Sequence, residues 1–384
     1  MALAEALPEP IDTAPVSETG STLKIDLCAI EANWRMLSRQ APASECAAVV
    51  KANAYGLGIG PVAARLTEAG CKTFFVADLA EARRLRSCAR EAVIYVLNGF
   101  SPNCGGIFAE LGARPVINSA TELAEWDAFV AERHWSGGAA LHVDTGMSRL
   151  GLPLEETAAL APRIHTDNHG IALLMSHLAC AEIADHPLNA QQIRLFNEMR
   201  LLFRGVPASL ANSSGIFLNA STHCDLLRPG AALYGINPTP GRPNPMRSVV
   251  ELGARILQIR NVERGASVGY GAGWTAKRAT RLAVAALGYA DGLPRALSGI
   301  ERAQPGMASI AGKLCPCAGR ISMDLICIDI SELPEGAVHR GDEATFIGDG
   351  ISIDDVGAWA GTIGYEILTH LGARCRVVYR EAVG

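Results

Sequence analysis

The 384-residue sequence is poor in aromatic side chains, which make up 5% of it, and only five of its 34 basic residues are lysines. It has no block of like charge, because 39 acidic and 34 basic residues are scattered along the chain. This scatter argues against a nucleic-acid groove or a polybasic membrane patch. No apolar run reaches about 18 residues, so no membrane-spanning helix is expected.

Several common kinds of site are missing as well. The sequence contains neither Cys-x-x-Cys pairs nor a His-Glu-x-x-His segment, so it predicts no metal site. Gly56, Gly58 and Gly60 do not match the dinucleotide-binding fingerprint, because the third glycine comes one residue early. Eleven cysteines without framework spacing favour a reducing compartment and predict a cytoplasmic protein. Residues 1–21 lack the basic and apolar regions of a signal peptide and predict a disordered tail.

Apolar segments separated by amphipathic stretches recur along residues 22–240 and predict β-strands that alternate with helices. The strands are predicted at 47–51, 73–77, 92–97, 115–118, 139–143, 171–176, 208–212 and 226–233. Eight such units in about 200 residues match an α/β fold with an N-terminal (β/α)8 TIM barrel better than an open sheet.

A Pro- and Gly-rich segment near 238–245 predicts a domain boundary. Beyond it, residues 246–384 consist of short alternating segments, which predict a mainly β C-terminal domain. Only one helix is convincing there, in ISIDDVGAWAGTIG, where Ser352 or Asp354 is expected to cap it.

Lys51 ends the apolar segment AAVV and precedes the turn-forming sequence Asn-Ala-Tyr-Gly. Burial at the end of a strand lowers the pKa of a lysine amine and makes it a usable nucleophile or Schiff-base former. The structural alternative is a lysine whose side chain extends from the strand end into solvent.

Four further residues follow predicted barrel strands, and a fifth lies in the C-terminal domain. Arg149 can clamp a carboxylate or phosphate, or else form a surface ion pair. His177 closes the sixth strand, where a histidine has either a structural or a catalytic role. Ser213 lies in a hydroxyl-rich turn that can hold a phosphate, and Arg228 precedes a Pro-Gly turn that exposes backbone N–H groups. Tyr270 lies between glycines, which suits either a projecting ring or a plain hairpin turn.

A set of motifs spans the chain from about residue 22 to 380 in one fixed order. They are AVVKANAYGLG, VDTGMSRLG, SHLA, ANSSG, LLRPGAALYG, VGYGAGW, GYADGLPR, GRISMD and GTIGYE. In this order and spacing the sequence resembles bacterial alanine racemase. The resemblance implies a pyridoxal 5'-phosphate enzyme that interconverts L- and D-alanine, with a barrel, a C-terminal β domain and a head-to-tail homodimer.

The resemblance also implies the catalytic residues. Lys51 would form the internal aldimine with the cofactor and serve as one base, and Tyr270 from the other subunit would be the second. Two bases are needed because racemisation removes the α-proton from one face and returns a proton to the opposite face. His177 would hydrogen-bond Tyr270, and Arg228 would support this pair and face the pyridine nitrogen. A guanidinium does not give up its proton there, which leaves the cofactor a weaker electron sink.

The remaining implied contacts fall into three groups. The phosphate would be held by Tyr55, Ser213, Tyr365 and the N–H groups of Gly230 and Ala231. The substrate carboxylate would be bound by Arg149 and by the backbone of Met323 from the partner. Tyr289, Tyr365 and Asp324 would line the entrance.

One position departs from the family pattern. Many members carry a carbamylated lysine two residues before the Asp of the VDTGM motif, whereas this sequence has His142 there. An imidazole does not supply the negative charge of a carbamate, so we expect Arg149 to be oriented by another group, such as a bound chloride.

Three rival functions have distinct requirements. A broad-specificity amino-acid racemase of the same fold differs only in its relative rates on different amino acids. An amino-acid decarboxylase of related fold needs a catalytic cysteine and acidic amine-binding residues, which the sequence does not offer. A non-catalytic pyridoxal-phosphate carrier needs Lys51 but not Tyr270.

Overall fold

The computed structural model describes residues 18–134, 137–164, 170–300, 304–372 and 374–381. Most of the predicted N-terminal tail therefore lies outside the described residues. The chain forms two compact units, of which the first is Ala29–Arg247. The second combines the described residues up to Cys28 with those from Ser248 onward.

The described elements follow in chain order. The strands are β1 (Ser21–Asp26), β2 (Glu45–Cys46), β3 (Ala48–Val49), β4 (Thr73–Val76), β5 (Val93–Val96), β6 (Ala113–Ile117), β7 (Ala139–His142), β8 (Ile171–Met175), β9 (Ala208–Ser209), β10 (Leu226–Leu227), β11 (Val250–Val262), β12 (Ser267–Val268), β13 (Trp274–Thr275), β14 (Thr280–Ala285), β15 (Met307–Ile310), β16 (Lys313–Pro316), β17 (Ile326–Asp329), β18 (Glu343–Ile347) and β19 (Arg376–Arg380). The α-helices are α1 (Leu27–Gln40), α2 (Lys51–Tyr55), α3 (Ile59–Glu68), α4 (Leu79–Cys88), α5 (Gly105–Leu111), α6 (Ala120–Arg133), α7 (Leu154–Ile164), α8 (Pro187–Leu202), α9 (Ile353–Ala360) and α10 (Gly364–His370).

The first unit contains a parallel sheet in which β3 to β9 lie side by side in chain order. The eighth strand, β10, pairs in parallel with β2, which immediately precedes β3. The Ala47 N–H also donates to the Leu227 carbonyl at 3.0 Å, so β10 closes the ring. Each of the eight predicted strands has a counterpart here, which confirms the predicted (β/α)8 barrel.

Burial explains why these strands read as continuous apolar runs. All four residues of β4 are buried, as expected for a strand covered by helices on one side and by the barrel interior on the other. Two of the barrel helices, α4 and α6, begin at side-chain caps. Asp78 accepts from the Glu81 N–H at the start of α4, and Ser119 accepts from the Glu122 N–H at the start of α6.

The second unit is mainly β, as predicted, with one sheet ordered β16-β15-β18-β11-β1-β19 and with β14 and β17 attached beside β11. The domain limits 22–240 and 246–384 remain a prediction, and β1 lies outside the first of the two units. It pairs antiparallel with β11 and parallel with β19, because its alternating buried side chains match that sheet.

Two helices lie near the end of the second unit. Ser352 caps α9 by accepting from the Asp355 N–H at 3.0 Å, as predicted. The sequence did not predict α10, which has seven residues and starts at a glycine. Within the described residues no helix has the length and apolar character needed to cross a membrane.

Candidate active site

Lys51 follows β3 after one residue, Val50, at the carboxyl end of the barrel strands, and its side chain is partly buried. Burial and the nearby charge of Arg149 lower the pKa of its amine, while the carboxylate of Glu81 acts in the opposite direction. The prediction of a lysine with a lowered pKa is therefore supported. A neutral amine forms at lower pH here than on an exposed lysine, which is what Schiff-base chemistry requires.

The short helix α2, which begins at Lys51, has a left-handed backbone over most of its length. Ala52, Asn53, Ala54 and Tyr55 all have φ between 53° and 56°. Non-glycine residues rarely adopt this left-handed conformation. It directs Tyr55 inward, where its ring packs on Tyr234 with centroids 4.6 Å apart.

Arg228 immediately follows β10 and is only 4% exposed. Its guanidinium donates to the Ser209 hydroxyl and to the carbonyls of Ser176 and Leu210, and it lies 5.9 Å from the centre of the Phe75 ring. Burial lowers its pKa to about 10, below the value above 12 expected from the sequence. The group still carries its positive charge at neutral pH.

His177 follows β8 and lies within electrostatic reach of three cations. Burial, then the charges of Arg228 and Arg149, hold its pKa well below 6.5, and Lys51 adds a smaller contribution. The imidazole is therefore neutral at physiological pH. Its backbone is fixed by Gln192 of α8, whose Nε2 donates to the His177 carbonyl at 2.9 Å.

His142 is the last residue of β7, and its Nδ1 lies 2.8 Å from Asn118 Oδ1. Asn118 Nδ2 donates to the carbonyls of Val116 (2.8 Å) and Leu97 (3.4 Å), which fixes Oδ1 as the acceptor. His142 Nδ1 therefore carries the hydrogen and Nε2 is left as an acceptor. Burial, then the charge of Arg228, lowers the pKa of His142 to about 4, so the ring is neutral.

Arg149 is exposed, on a tight loop after β7. The loop is organised by Asp144, whose Oδ1 accepts the N–H groups of Gly146 and Met147 (both 2.9 Å) and of Ser148 (3.1 Å). Across the described ranges, Arg149 has no hydrogen bond or ion pair. Its guanidinium is thus a positive charge that is available to a ligand.

Two backbone N–H groups shortly after β10 meet one hydroxyl. Those of Gly230 and Ala232 donate to Ser213 Oγ at 3.0 and 3.2 Å. Ala231 begins the 3-10 helix Ala231–Tyr234, and the first N–H of a helix has no acceptor within it. A Cβ on Gly230 would lie 2.4 Å from Tyr55 Oη, so only glycine fits here. The Ser213 hydroxyl and the Ala231 N–H are then left as donors, and this donor cradle around Ser213 fits a phosphate group.

The other predicted site residues belong to the second unit. Tyr270 lies at the tip of the β12–β13 hairpin and is 72% exposed, so both features that the sequence suggested, a turn and a projecting ring, are present. Tyr289, Met323 and Tyr365 are also exposed. Asp324 forms an ion pair of 2.7 Å with Arg374.

Three residues that position this site were not predicted from the sequence. Gln192 binds the backbone carbonyl of His177, and Asn118 accepts a hydrogen bond from the ring of His142, as described above. Glu81 contacts the backbone of the left-handed segment. Glu81 stands three residues after its helix cap, a spacing that is typical of capping residues and would have been the signal for it.

Comparison with known proteins matches two family profiles to this chain. The family profile described as "Alanine racemase, N-terminal domain" matches residues 25–238, and the one described as "Alanine racemase, C-terminal domain" matches residues 249–379. An alanine racemase of Methylobacterium sp. is 51% identical over 363 residues, which are 94% of this chain and 98% of that protein. A relative from Mesorhizobium japonicum named "Alanine racemase, catabolic" is 48% identical and covers 96% of each chain.

A solved structure extends the similarity to three dimensions. Alanine racemase from Bartonella henselae, with covalently bound pyridoxal phosphate, superimposes with a TM-score of 0.89 at 38% identity. The match covers 94% of this chain and 100% of that one.

The barrel, the lysine at its mouth and the donor cradle define a pyridoxal-phosphate-dependent amino-acid isomerase. The cofactor fits the residues present, because the amine of Lys51 and the cradle at Ser213 match its aldehyde and phosphate. More specifically, the chain belongs to the alanine racemase family. The family, enzyme class and cofactor that the sequence motifs implied are confirmed.

Proposed function

We propose that this enzyme racemises alanine with two bases, Lys51 and Tyr270 of the partner subunit. The observation that carries the proposal is the partly buried Lys51, whose lowered pKa suits a covalent anchor that also exchanges a proton at Nζ. Bound pyridoxal phosphate supplies the electron sink that makes the α-proton of the substrate removable. Lys51 Nζ would serve the D-isomer and the tyrosine hydroxyl the L-isomer, from opposite faces.

Two neighbouring residues, His177 and Arg228, would support this chemistry. A neutral His177 can accept a hydrogen bond from the phenol of Tyr270 of the partner subunit, which is supported by its depressed pKa. Arg228 would hold the pyridine nitrogen without giving it a proton, since its pKa of about 10 keeps it charged. Arg228 would thereby leave the cofactor a weaker electron sink and limit side reactions.

Phosphate binding is assigned to the cradle. Ser213 and the N–H groups of Gly230 and Ala231 would hold the phosphate, together with the hydroxyls of Tyr55 and Tyr365. The support for this assignment is the convergence of two N–H groups on Ser213 and the proximity of Tyr55 to Gly230.

The substrate carboxylate would be bound by Arg149 and by the backbone N–H of Met323 of the partner subunit. Arg149 suits this role because it has no other partner among the residues described. Tyr289, Tyr365 and Asp324 would narrow the entrance, so that small amino acids pass most readily. Rates measured on alanine, serine, lysine and arginine separate an alanine enzyme from a broad-specificity racemase.

A chloride ion beside Arg149 is part of the proposal. Lys51, Arg149 and Arg228 place three positive charges around His177, and a neutral His142 offsets none of them. An anion would relieve this repulsion and orient Arg149. We expect activity to rise with chloride at constant ionic strength, and equal activity in chloride and in a bulky organic anion would contradict this part.

The cofactor anchor is tested by borohydride reduction and peptide mapping. We expect a visible absorption band and a reduced pyridoxyl group on Lys51, with exposed Lys72 as the unlabelled control. A Lys51→Ala enzyme should form no D-alanine from L-alanine. A colourless wild-type protein that takes up no cofactor would refute the proposal.

Sharing of the site between subunits is tested by mixing two inactive enzymes. In a hybrid dimer of Lys51→Ala and Tyr270→Phe subunits, one site carries both changes and the other carries neither. Random reassociation should therefore restore about a quarter of wild-type activity. Tyr379→Phe, in β19, is the matched control and should remain active by itself. If mixing restores nothing, each site is built from one chain.

The state of the cysteines bears on the cellular location of the protein. All eleven cysteines, each of them in the described part of the chain, are free thiols. We propose a cytoplasmic location on this basis, since free thiols are typical of a reducing compartment.

A further inference from the structure

The left-handed segment Ala52–Tyr55 has to be held in place by other residues. Its four φ values of 53–56° are unfavourable for non-glycine residues by roughly 1–2 kcal/mol each. Alanine and tyrosine offer no side-chain compensation for this conformation. The stabilisation therefore has to come from contacts that the segment makes with its surroundings.

Besides the packing of Tyr55 on Tyr234 and a hydrogen bond from the Ile59 N–H to Asn53 Oδ1 (3.0 Å), Glu81 of α4 ties this segment to the barrel. Its Oε1 accepts the Asn53 N–H and its Oε2 accepts the Ala77 N–H, both at 2.9 Å. Ala77 directly follows β4, so one carboxylate links the left-handed segment to the neighbouring strand end. Asp78, the cap of α4, accepts the Glu81 N–H at 2.9 Å and fixes the base of this side chain.

The barrel contains a second glutamate at the equivalent position of another strand–helix repeat. Glu122 follows its cap Ser119 by three residues, and its Oε2 accepts the N–H groups of Asn118 (3.0 Å) and Phe100 (3.3 Å). It therefore also ties one strand end to the loop of the preceding strand. That loop contains Phe100 and no lysine or tyrosine of the proposed site.

We propose that Glu81 is a positioning residue that holds the left-handed segment and thereby sets Lys51 and Tyr55 at the cofactor site. The two oxygens fix the middle of a segment whose ends adjoin the proposed anchor and the proposed phosphate ligand. This inference rests on the proposed function, because it takes Lys51 as the anchor. The negative charge of Glu81 also opposes the lowering of the pKa of Lys51 by burial.

The test is the rate at which hydroxylamine strips the cofactor from the intact enzyme, followed by loss of visible absorbance. Glu81→Gln keeps the shape of the side chain but replaces one acceptor oxygen with a donor, so one of the two backbone contacts is lost. We expect stripping at least about tenfold faster, from the loss of a charged hydrogen bond. The matched variant Glu122→Gln should stay within about twofold of wild type.

A rescue variant separates positioning from general loosening. Ala52→Gly removes the steric penalty of the left-handed conformation at an exposed position. Added to Glu81→Gln, it should return the stripping rate toward the wild-type value. If Glu81→Gln alone does not fold, the double variant is compared with Ala52→Gly. We then expect the double variant to lose the cofactor faster than Ala52→Gly, by a smaller factor than tenfold.

Two results would overturn the inference while leaving the proposed function intact. They are a wild-type stripping rate in Glu81→Gln and an equal acceleration in Glu122→Gln. A wild-type enzyme whose reduced cofactor is not on Lys51 would instead overturn the proposed function, and this inference with it.

Discussion

The contact between Gly230 and Tyr55 gives a quantitative prediction for the cradle. A Cβ on Gly230 would lie 2.4 Å from Tyr55 Oη, against about 3.4 Å for an ordinary contact, so the ring has to retreat by about 1 Å. Retreat is opposed by Tyr234, which is fully buried, packs on Tyr55 and donates a hydrogen bond to the Val49 carbonyl at 3.0 Å. Overpacking of this kind destabilises proteins by about 1–3 kcal/mol.

For a unit of this size we expect Gly230→Ala to lower the thermal midpoint of the holoenzyme by roughly 2–12 °C. Protein and cofactor concentrations have to be equal in all samples, because both shift the midpoint. Gly60→Ala is the matched control. A Cβ there meets nothing within 4 Å, so the midpoint should stay equal or rise, as is usual for glycine to alanine in a helix.

A double variant identifies the atom that is responsible. Tyr55→Phe removes Oη, and the nearest ring atom, Cζ, is then 3.2 Å from the new Cβ. We expect Gly230→Ala to be considerably less damaging in the Tyr55→Phe background than in the wild type. Strictly additive effects would refute the reasoning, because they would mean that the tyrosine hydroxyl does not occupy this space.

Two further predictions concern the buried titratable side chains of His142 and Arg228. His142 has a pKa of about 4 in the folded enzyme against 6.5 in the unfolded chain, so the unfolded chain binds the proton more tightly. Stability should therefore be full above about pH 6.5 and decrease as the pH falls toward 4, by about 3 kcal/mol from this residue. His142→Gln should flatten that part of a denaturation profile, and an unchanged slope would contradict it. Arg228→Lys should destabilise the enzyme by about 2–3 kcal/mol, because an ammonium group does not reach the acceptors on Ser209 and Ser176 together. Arg83→Lys, at an exposed ion pair, is the control and should leave the thermal midpoint unchanged.

The barrel was predictable because its strands carry a local signal. Buried strands covered on both faces read as short apolar runs, and polar residues at their carboxyl ends marked the candidate site. The motifs added the family and the cofactor. The role of each site residue, the domain limits and the dimer remain predictions.

The features that the sequence did not predict depend on distant contacts. The alternation of apolar and polar residues in β1 indicates a half-buried strand but not the sheet that the strand joins. Its partner strands lie more than 200 residues away. The turn-forming sequence after Lys51 did not predict that Ala52–Tyr55 would all be left-handed, and one contact of this segment is with Glu81, 28 residues away. The neutral tautomer of His142 depends in turn on Asn118, whose amide is oriented by two backbone carbonyls.

The pairing of β1 has a consequence for biosynthesis. Ser21, in β1, donates a hydrogen bond to the sulfur of Cys375, which lies 354 positions further along the sequence. At a translation rate of about 5–20 residues per second, roughly 20–70 seconds separate the synthesis of these two residues. During that interval β1 lacks β19, and for roughly the first two thirds of it β11 and part of the barrel, which ends at Arg247, are still being synthesised. A nascent chain thus carries an open strand edge on the ribosome, where it is exposed to aggregation and is a natural substrate for chaperones.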